Sequence, residues 1–457
     1  MKKIFFNLSI LRGIPLFILM AFSVTAQKKD AYEMMVDGVK VIVQPSNNEI
    51  VEVQTIIKGG VQNYPFNKQG IESLAMSALT ECGTKNDDKN SFKNKLEKVS
   101  AQVYAYTSMD YASINMNCIK SDLDAVWPLY ADAITAPDFN EKEFIRIKQD
   151  AINNLKSQES TPDYAIRKMA KETAFKGMNY SKTPDGTEQT VSTLTVAETR
   201  DYYQSILTRS RIVMVVVGEI DKGIITQKIS GMLAKIAAGK PYILKKELYH
   251  PMANSFGGQK KEIATNYIQG ITGGPAPGTA DYNAFVLAMR IFGMKHFVEV
   301  RTKNGLSYAP GAYFDGGTTP SANITVSTTD PNKYIGVAKH LIETVKKDGF
   351  TEDEVKNIKT SYLTQFFYRQ ETNNAQANSF AANEVLHNNW KRALTINDDL
   401  KKVSVQDVNN VFRKYIGNFS WSYQGDPVKV DGKLFTGERT SDKPVLPKTK
   451  LNTNKKG

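Results

Sequence analysis

Hydrophobic positions recur along the chain with two periods, in the order strand, helix, strand pair, long helices, final strand. VYAYTSMDYASINMNC (Val103 to Cys118) alternates apolar with polar residues and breaks near Ser108 to Asp110. That pattern predicts a half-buried strand pair joined by a turn. FNEKEFIRIKQDAINNL (Phe139 to Leu155) has helical spacing, with Asn140 as its N-cap and acidic residues in its first turn. Side-chain oxygens and carboxylates at that end satisfy the unpaired N–H groups and face the positive end of the helix dipole.

The same patterns occur twice, roughly 210 residues apart. FTEDEVKNIKTSYLTQF (Phe350 to Phe366) matches the Phe139 helix at its phenylalanine, at Glu141/Glu352 and Glu143/Glu354, and at Ile147-Lys148/Ile358-Lys359, with Thr351 as cap. LTVAETRDYYQSI (Leu194 to Ile206) resembles VSVQDVNNVFRKYI (Val403 to Ile416), and each runs into an apolar strand ending at a glycine, Gly218 or Gly425. VEVQTIIKGG around Gln54 matches NYIQGITGG around Gln269. The chain is therefore read as a duplicated domain. Strands grouped before helices imply an α+β class, two lobes each with a mostly antiparallel sheet covered on one face by helices. The expected division is 27–240 for the first lobe, 241–258 for a linker broken by Pro251 and a glycine pair, and 259–438 for the second lobe.

Both ends read differently. Lys2, Lys3 and Arg12 precede an apolar run from Ile14 to Val24, and Val24-Thr25-Ala26 offers small residues for cleavage. Residues 1–26 are read as a cleaved signal peptide and the protein as periplasmic, since the run is shorter than the ~20 apolar residues of a membrane span. Removing those three cations lowers the net charge from +12 to +9. The Pro/Lys/Thr-rich tail, 439–457, carries part of the remaining charge and reads as disordered. With no basic helix and no RNA-binding aromatic motif, this charge does not indicate a nucleic-acid partner. Cys82 and Cys118 permit one disulfide or two buried thiols, and no histidine in the first half could activate either as a nucleophile.

At GIESLAMSAL (Gly70 to Leu79) the chain resembles the insulinase/pitrilysin zinc peptidases, the inverzincins, and the resemblance covers nearly all of 27–457. That family carries an inverted H-x-x-E-H motif on the first helix of its active lobes. Two histidines four apart share a helix face and bind zinc, and the glutamate between them deprotonates the attacking water. Aligned on Gly70-Ile71, Ser73 and Ser77 take the histidine positions and Met76 that of the general base. The third ligand position, in QDAINNLKSQESTP, falls on Asn154 or its neighbour Asn153. Neutral hydroxyl and amide oxygens are poor replacements for imidazole and carboxylate. All four histidines (His250, His296, His340, His387) lie beyond the first lobe, and none forms a pair at metal spacing. His296 reads as a surface or partly buried residue. GGPAPG (Gly273 to Gly278) leads into no phosphate-loop lysine, and no G-x-S-x-G elbow occurs. No cofactor is expected in this chain, and no catalytic residue.

The second lobe keeps more of the family's pattern. VEVRTKNGLSYAPGAYF (Val298 to Phe314) resembles its R-x6-Y motif, with Arg301 closing a helix and Tyr308 opening the next strand. The resemblance implies that this pair grips the substrate carbonyl and its developing oxyanion beside the zinc of a facing lobe. An arginine near a helix end and a glycine after it are also ordinary helix-terminating chemistry. YAYTSMDYA resembles the family's substrate-accepting edge strand, with Tyr104 in place of the usual asparagine. The resulting expectation is a catalytically silent subunit that pairs with a homologous chain bearing H-x-x-E-H, where the zinc would sit, to hydrolyse peptides, much as the mitochondrial processing peptidase divides labour. The alternative is a non-enzymatic peptide-binding or scaffold protein of the cell envelope.

Overall fold

The computed structural model describes residues 30–437. The expected signal peptide at 1–26 and the tail at 439–457 lie outside the described residues. Among the described residues no helix is long and apolar enough to cross a membrane.

The first lobe contains strands β1 (Tyr32–Val36), β2 (Val39–Gln44), β3 (Ile50–Lys58), β4 (Gln102–Thr107), β5 (Tyr111–Ile119) and β6 (Ile212–Val217). Its helices are α1 (Ile71–Glu81), α2 (Lys89–Glu97), α3 (Leu123–Thr135), α4 (Glu141–Ser160), α5 (Pro162–Ala174), α6 (Glu188–Thr193), α7 (Val196–Ile206) and α8 (Lys222–Leu233). The second lobe has β7 (Ser255–Lys260), β8 (Asn266–Gly273), β9 (Gly311–Asp315), β10 (Ser321–Thr328) and β11 (Ser420–Gly425). Helices α9 (Asp281–Phe297), α10 (Pro331–Asp348), α11 (Glu352–Arg369), α12 (Asn373–His387), α13 (Arg392–Lys402), α14 (Val405–Tyr415) and α15 (Gly432–Thr436) complete it.

The sheet orders are β1-β2-β6-β3-β5-β4 and β7-β11-β8-β10-β9. Setting aside the β1 hairpin, they match strand for strand, and in each a parallel pair joins the first shared strand to the last, β2 to β6 and β7 to β11. The duplication read from sequence extends to single contacts. Lys148 donates to the carbonyls of Ser192 and Leu194, and its counterpart Lys359 donates to those of Lys401 and Val403. In both lobes this lysine fastens the long helix to the turn before the capped one. The predicted caps are present: Asn140 accepts from the Glu143 N–H, and Thr351 forms a reciprocal capping box with Glu354.

One face of each sheet is covered by its own lobe's helices, as expected. A helix from the other lobe covers the opposite face. α12 places Ala377, Phe380, Ala381 and Val385 against Ile42, Ile56, Val213, Val215 and Val217 of the first sheet. α5 lies in turn on β8 and β11. This exchange explains why β6 reads IVMVVV with no polar alternation: Met214 and Val216 face one apolar layer, Val213, Val215 and Val217 the other, and all are buried.

The segment between the lobes is fastened to both. Gln62 exchanges two hydrogen bonds with the Lys245 backbone, and Glu247 accepts from Asn179 while its N–H donates to the Thr318 carbonyl. Strand β7 starts at Ser255, inside the span 241–258 expected as linker, because its backbone pairs with β11.

Candidate functional site

The first residues of α1 are set by a close approach of two loops. Gly70 adopts φ 89, and a Cβ there would lie 2.6 Å from Val191 Cγ2 and 2.8 Å from the Asp185 carbonyl. Gly186 faces it, where a Cβ would meet the Gln69 carbonyl at 2.5 Å. Two glycines back to back therefore bring Asp185 beside the first turn of α1.

From that start Ser73, Ser77 and Glu81 follow one another at four-residue spacing on one face of the helix. Arg146, Asp150 and Asn154 do the same on α4. The two rows and Asp185 enclose a cavity of about 410 Å³. Ser73, Ser77 and Asn154, which the sequence reading set at the three ligand positions, line it together. Asn153 does not.

The donors do not suit zinc. Two hydroxyls and an amide replace imidazoles and carboxylate, and the cavity's carboxylates are already engaged. Arg146 pairs with Glu81 at 3.1 Å and with Asp150 at 2.8 Å, and Lys93 holds Glu81 from the other side at 2.8 Å. Asp185 accepts a long bond, 3.5 Å, from Ser73, and burial raises its pKa above the ordinary carboxylate value. Among the described residues no group of three or more His, Cys, Asp or Glu is placed to hold a metal ion.

Two families of sequence match this chain. The one described as Insulinase (Peptidase family M16) matches residues 40–187, and the one described as Peptidase M16 inactive domain matches residues 193–362. The chain belongs to the insulinase family. It is 22% identical to the "Uncharacterized zinc protease YmxG" of Bacillus subtilis, over 73% of this chain and 82% of that protein. It is 20% identical to the "Non-peptidase homolog YmxG" of Helicobacter pylori, over 79% and 85%. Among solved structures it resembles a peptidase M16 inactive domain from Pseudomonas fluorescens, with a TM-score of 0.80 and 16% identity over 88% of this chain and 99% of the other.

Against the insulinase pattern, Met76 does not do what its position suggests. It stands in the general-base register, yet its side chain is only 1% exposed and packs in the lobe's core, outside the cavity. A thioether gains more from apolar contact than from a polar cleft. The same helix carries a buried acid that the sequence reading missed. Glu72 is enclosed, accepting from Asn63 Nδ2 at 2.9 Å and from the Tyr202 hydroxyl, while its Oε1 has no hydrogen-bond partner. Burial pushes its pKa up to about 7, against the lowering effects of Tyr202, Asn63 and Arg211. The cavity's Glu81, Arg146, Asp150 and Asp185 were missed as well. The four-residue rows Ser73-Ser77-Glu81 and Arg146-Asp150-Asn154 were the available signal.

In the second lobe α9 widens into a π-helical turn, Val298–Lys303, which carries Arg301. Gly305, at φ 61, ends it: its N–H donates to the Arg301 carbonyl at 3.1 Å, and the Leu306 N–H donates to that of Val300 at 2.9 Å. The chain thus turns back, and Tyr308 arrives beside Arg301. The guanidinium lies 4.0 Å from the centre of the Tyr308 ring and 5.1 Å from that of Phe297. Glu299, the nearby carboxylate in sequence, is taken by Lys303 at 2.8 Å. Tyr308 is 79% exposed.

The remaining candidates resolve into structural roles. His296, expected at the surface or partly buried, is fully buried because α9 packs it against Tyr334, 3.1 Å from Nε2 to the hydroxyl. Burial pushes its pKa down to about 4. Cys82 and Cys118 are both free and buried, and burial pushes their thiols up to about 12 and 11. Tyr104 lies on β4, one of the two edge strands of the first sheet, and its hydroxyl accepts from Asn374 of α12 at 2.7 Å. His250 and His340 are exposed.

Proposed function

We propose that this chain is the non-catalytic subunit of an exported insulinase-family zinc peptidase. Arg301 and Tyr308 would reach into the active site of a homologous partner whose H-x-x-E-H helix holds the metal. The observation that carries this reading is a contrast between the lobes. The first lobe has a cavity lined by Ser73, Ser77 and Asn154, the residues that the resemblance sets at the ligand positions, while the second presents Arg301 stacked on an exposed Tyr308.

Stacking fixes a long cation before any substrate arrives. An arginine clamped between rings keeps its N–H edges for an acceptor and loses little freedom on binding one. Donors fixed in this way stabilise the charge that develops on a scissile carbonyl oxygen. The first sheet's outer strand β4 offers unpaired backbone for an extended peptide. The test is recovery of the mature protein from its native envelope. A zinc-bearing homologue should come with it, and the pair should cleave unfolded peptides only when zinc is present. Recovery of the chain without any such homologue would favour the scaffold reading, which the non-peptidase name of the Helicobacter relative also supports.

A further inference from the structure

The second lobe has its own cavity at the place that corresponds, through the duplication, to the degenerate zinc pocket. Tyr362, Gln365 and Phe366 of α11 line it where Ala151, Asn154 and Leu155 of α4 line the first, at the same interval along the chain. It lies among α9, α11, α12 and α13 and encloses about 560 Å³, within the range of sites for small ligands.

Its charge is opposite to that of its counterpart. Three carboxylates line the first cavity, but among the described residues none lines the second, which has Arg290, Arg392 and His387. Both guanidiniums are braced. Arg290 lies 4.6 Å from the Tyr362 ring centre and donates to Gln365 at 3.0 Å. Arg392 lies 5.7 Å from the Tyr282 ring centre and donates from Nη2 to Asn283 at 2.6 Å. Arg392 Nε and His387 Nδ1 are buried with no hydrogen-bond partner. The Nε–H of Arg392, buried in that state, costs free energy that an acceptor would recover.

We propose that this cavity binds the free C-terminal carboxylate of a peptide. Arginine is the side chain best shaped to hold a carboxylate through two parallel bonds. Beside it Gln370 offers an amide partner for main chain, and Phe366, Leu386 and Leu400 form an apolar wall for the terminal side chain. Asn378 and Asn383 line the wall with amides already bonded to Gln54, Asn374 and Ser379. Burial, with the positive charges of Arg392 and Lys246 acting in the same direction, pushes the His387 pKa down to about 3, and those two charges favour an anion beside it. The site needs neither zinc nor a partner chain, so it stands or falls separately from the pairing proposal.

The test titrates the full mature chain with a fluorescent, N-acetylated hexapeptide ending in phenylalanine, as the free acid and as the C-terminal amide. The free acid should bind at least 10-fold more tightly. Arg392→Gln should remove that preference while leaving affinity for the amide and the melting temperature unchanged. Equal binding of acid and amide, or no binding of either up to millimolar peptide, would overturn the proposal. So would inorganic phosphate binding in an Arg392-dependent manner where the free acid does not bind.

Discussion

Arg301 and Tyr308 are held face to face, the guanidinium 4.0 Å from the ring centre, by a glycine-terminated helix end that folds the chain back on itself. Gly305 is essential to that reversal because its φ of 61 lies where side chains with a Cβ are strained. Gly305→Ala meets no steric contact, so its expected effect is a misplaced Tyr308 at a modest cost of about 1 kcal/mol in stability. Activity of the reconstituted complex should fall more than the melting temperature does.

The serine cavity should regain metal when its donors are restored. Ser73→His, Ser77→His and Asn154→Glu together place two imidazoles from α1 and a carboxylate from α4 around one cavity. Calorimetry with zinc should show tighter binding to the triple variant than to the parent. The variant should still not cleave peptides, because residue 76 faces the core and supplies no base to the metal-bound water.

Glu72 gives stability a pH dependence whose sign is fixed. Its folded pKa, about 7, lies above its ordinary value of 4.5, so folding favours the protonated acid. Its contribution is fully present below about pH 4.5 and is lost as pH rises to about 7, a change on the order of 3 kcal/mol. Denaturant melts of Glu72→Gln should show a flatter profile across that window, with the gain over the parent largest at pH 8.

The lobes are joined through exchanged helices, and Phe380 tests that joint. It is 1% exposed, inserted from α12 against the first lobe's strands and beside Trp390. Phe380→Ala should cost about 3–5 kcal/mol. Because the residue belongs to one lobe and its pocket to the other, the parent should unfold in one transition and the Phe380→Ala variant in two.

Cys82 and Cys118 should be inert in the native state. With both thiols buried and pushed up to about 12 and 11, a thiol reagent at pH 8 should label neither until denaturant is added. Fast native labelling of either would contradict their placement.

Periodicity made much of this fold legible. The helix caps, the turn between β4 and β5 and the duplication follow from local pattern, which the backbone must satisfy wherever it sits, whereas the edge position of β4 was implied only by the resemblance to the family. The exchange of α5 and α12 does not, since which sheet a helix covers is a long-range choice. Its one trace was the unbroken apolar run in β6. Ser73, Ser77 and Asn154 line one cavity, whereas Met76, aligned beside them, packs in the core, so position in a motif does not fix where a side chain points. The buried states of Glu72 and His296 were hidden because each depends on partners distant in sequence, Tyr202 and Tyr334. The second cavity's paired arginines come from α9 and α13, and no local pattern links those helices.

The central claim is that this chain supplies Arg301 to a partner's active site. The most direct measurement compares kcat/KM of the reconstituted two-chain peptidase with parent and Arg301→Ala subunits, at equal zinc content and equal complex formation. A loss on the order of 100-fold, carried mainly in kcat, is the predicted result for a donor that acts on the transition state. Full activity with the Arg301→Ala subunit would contradict the account.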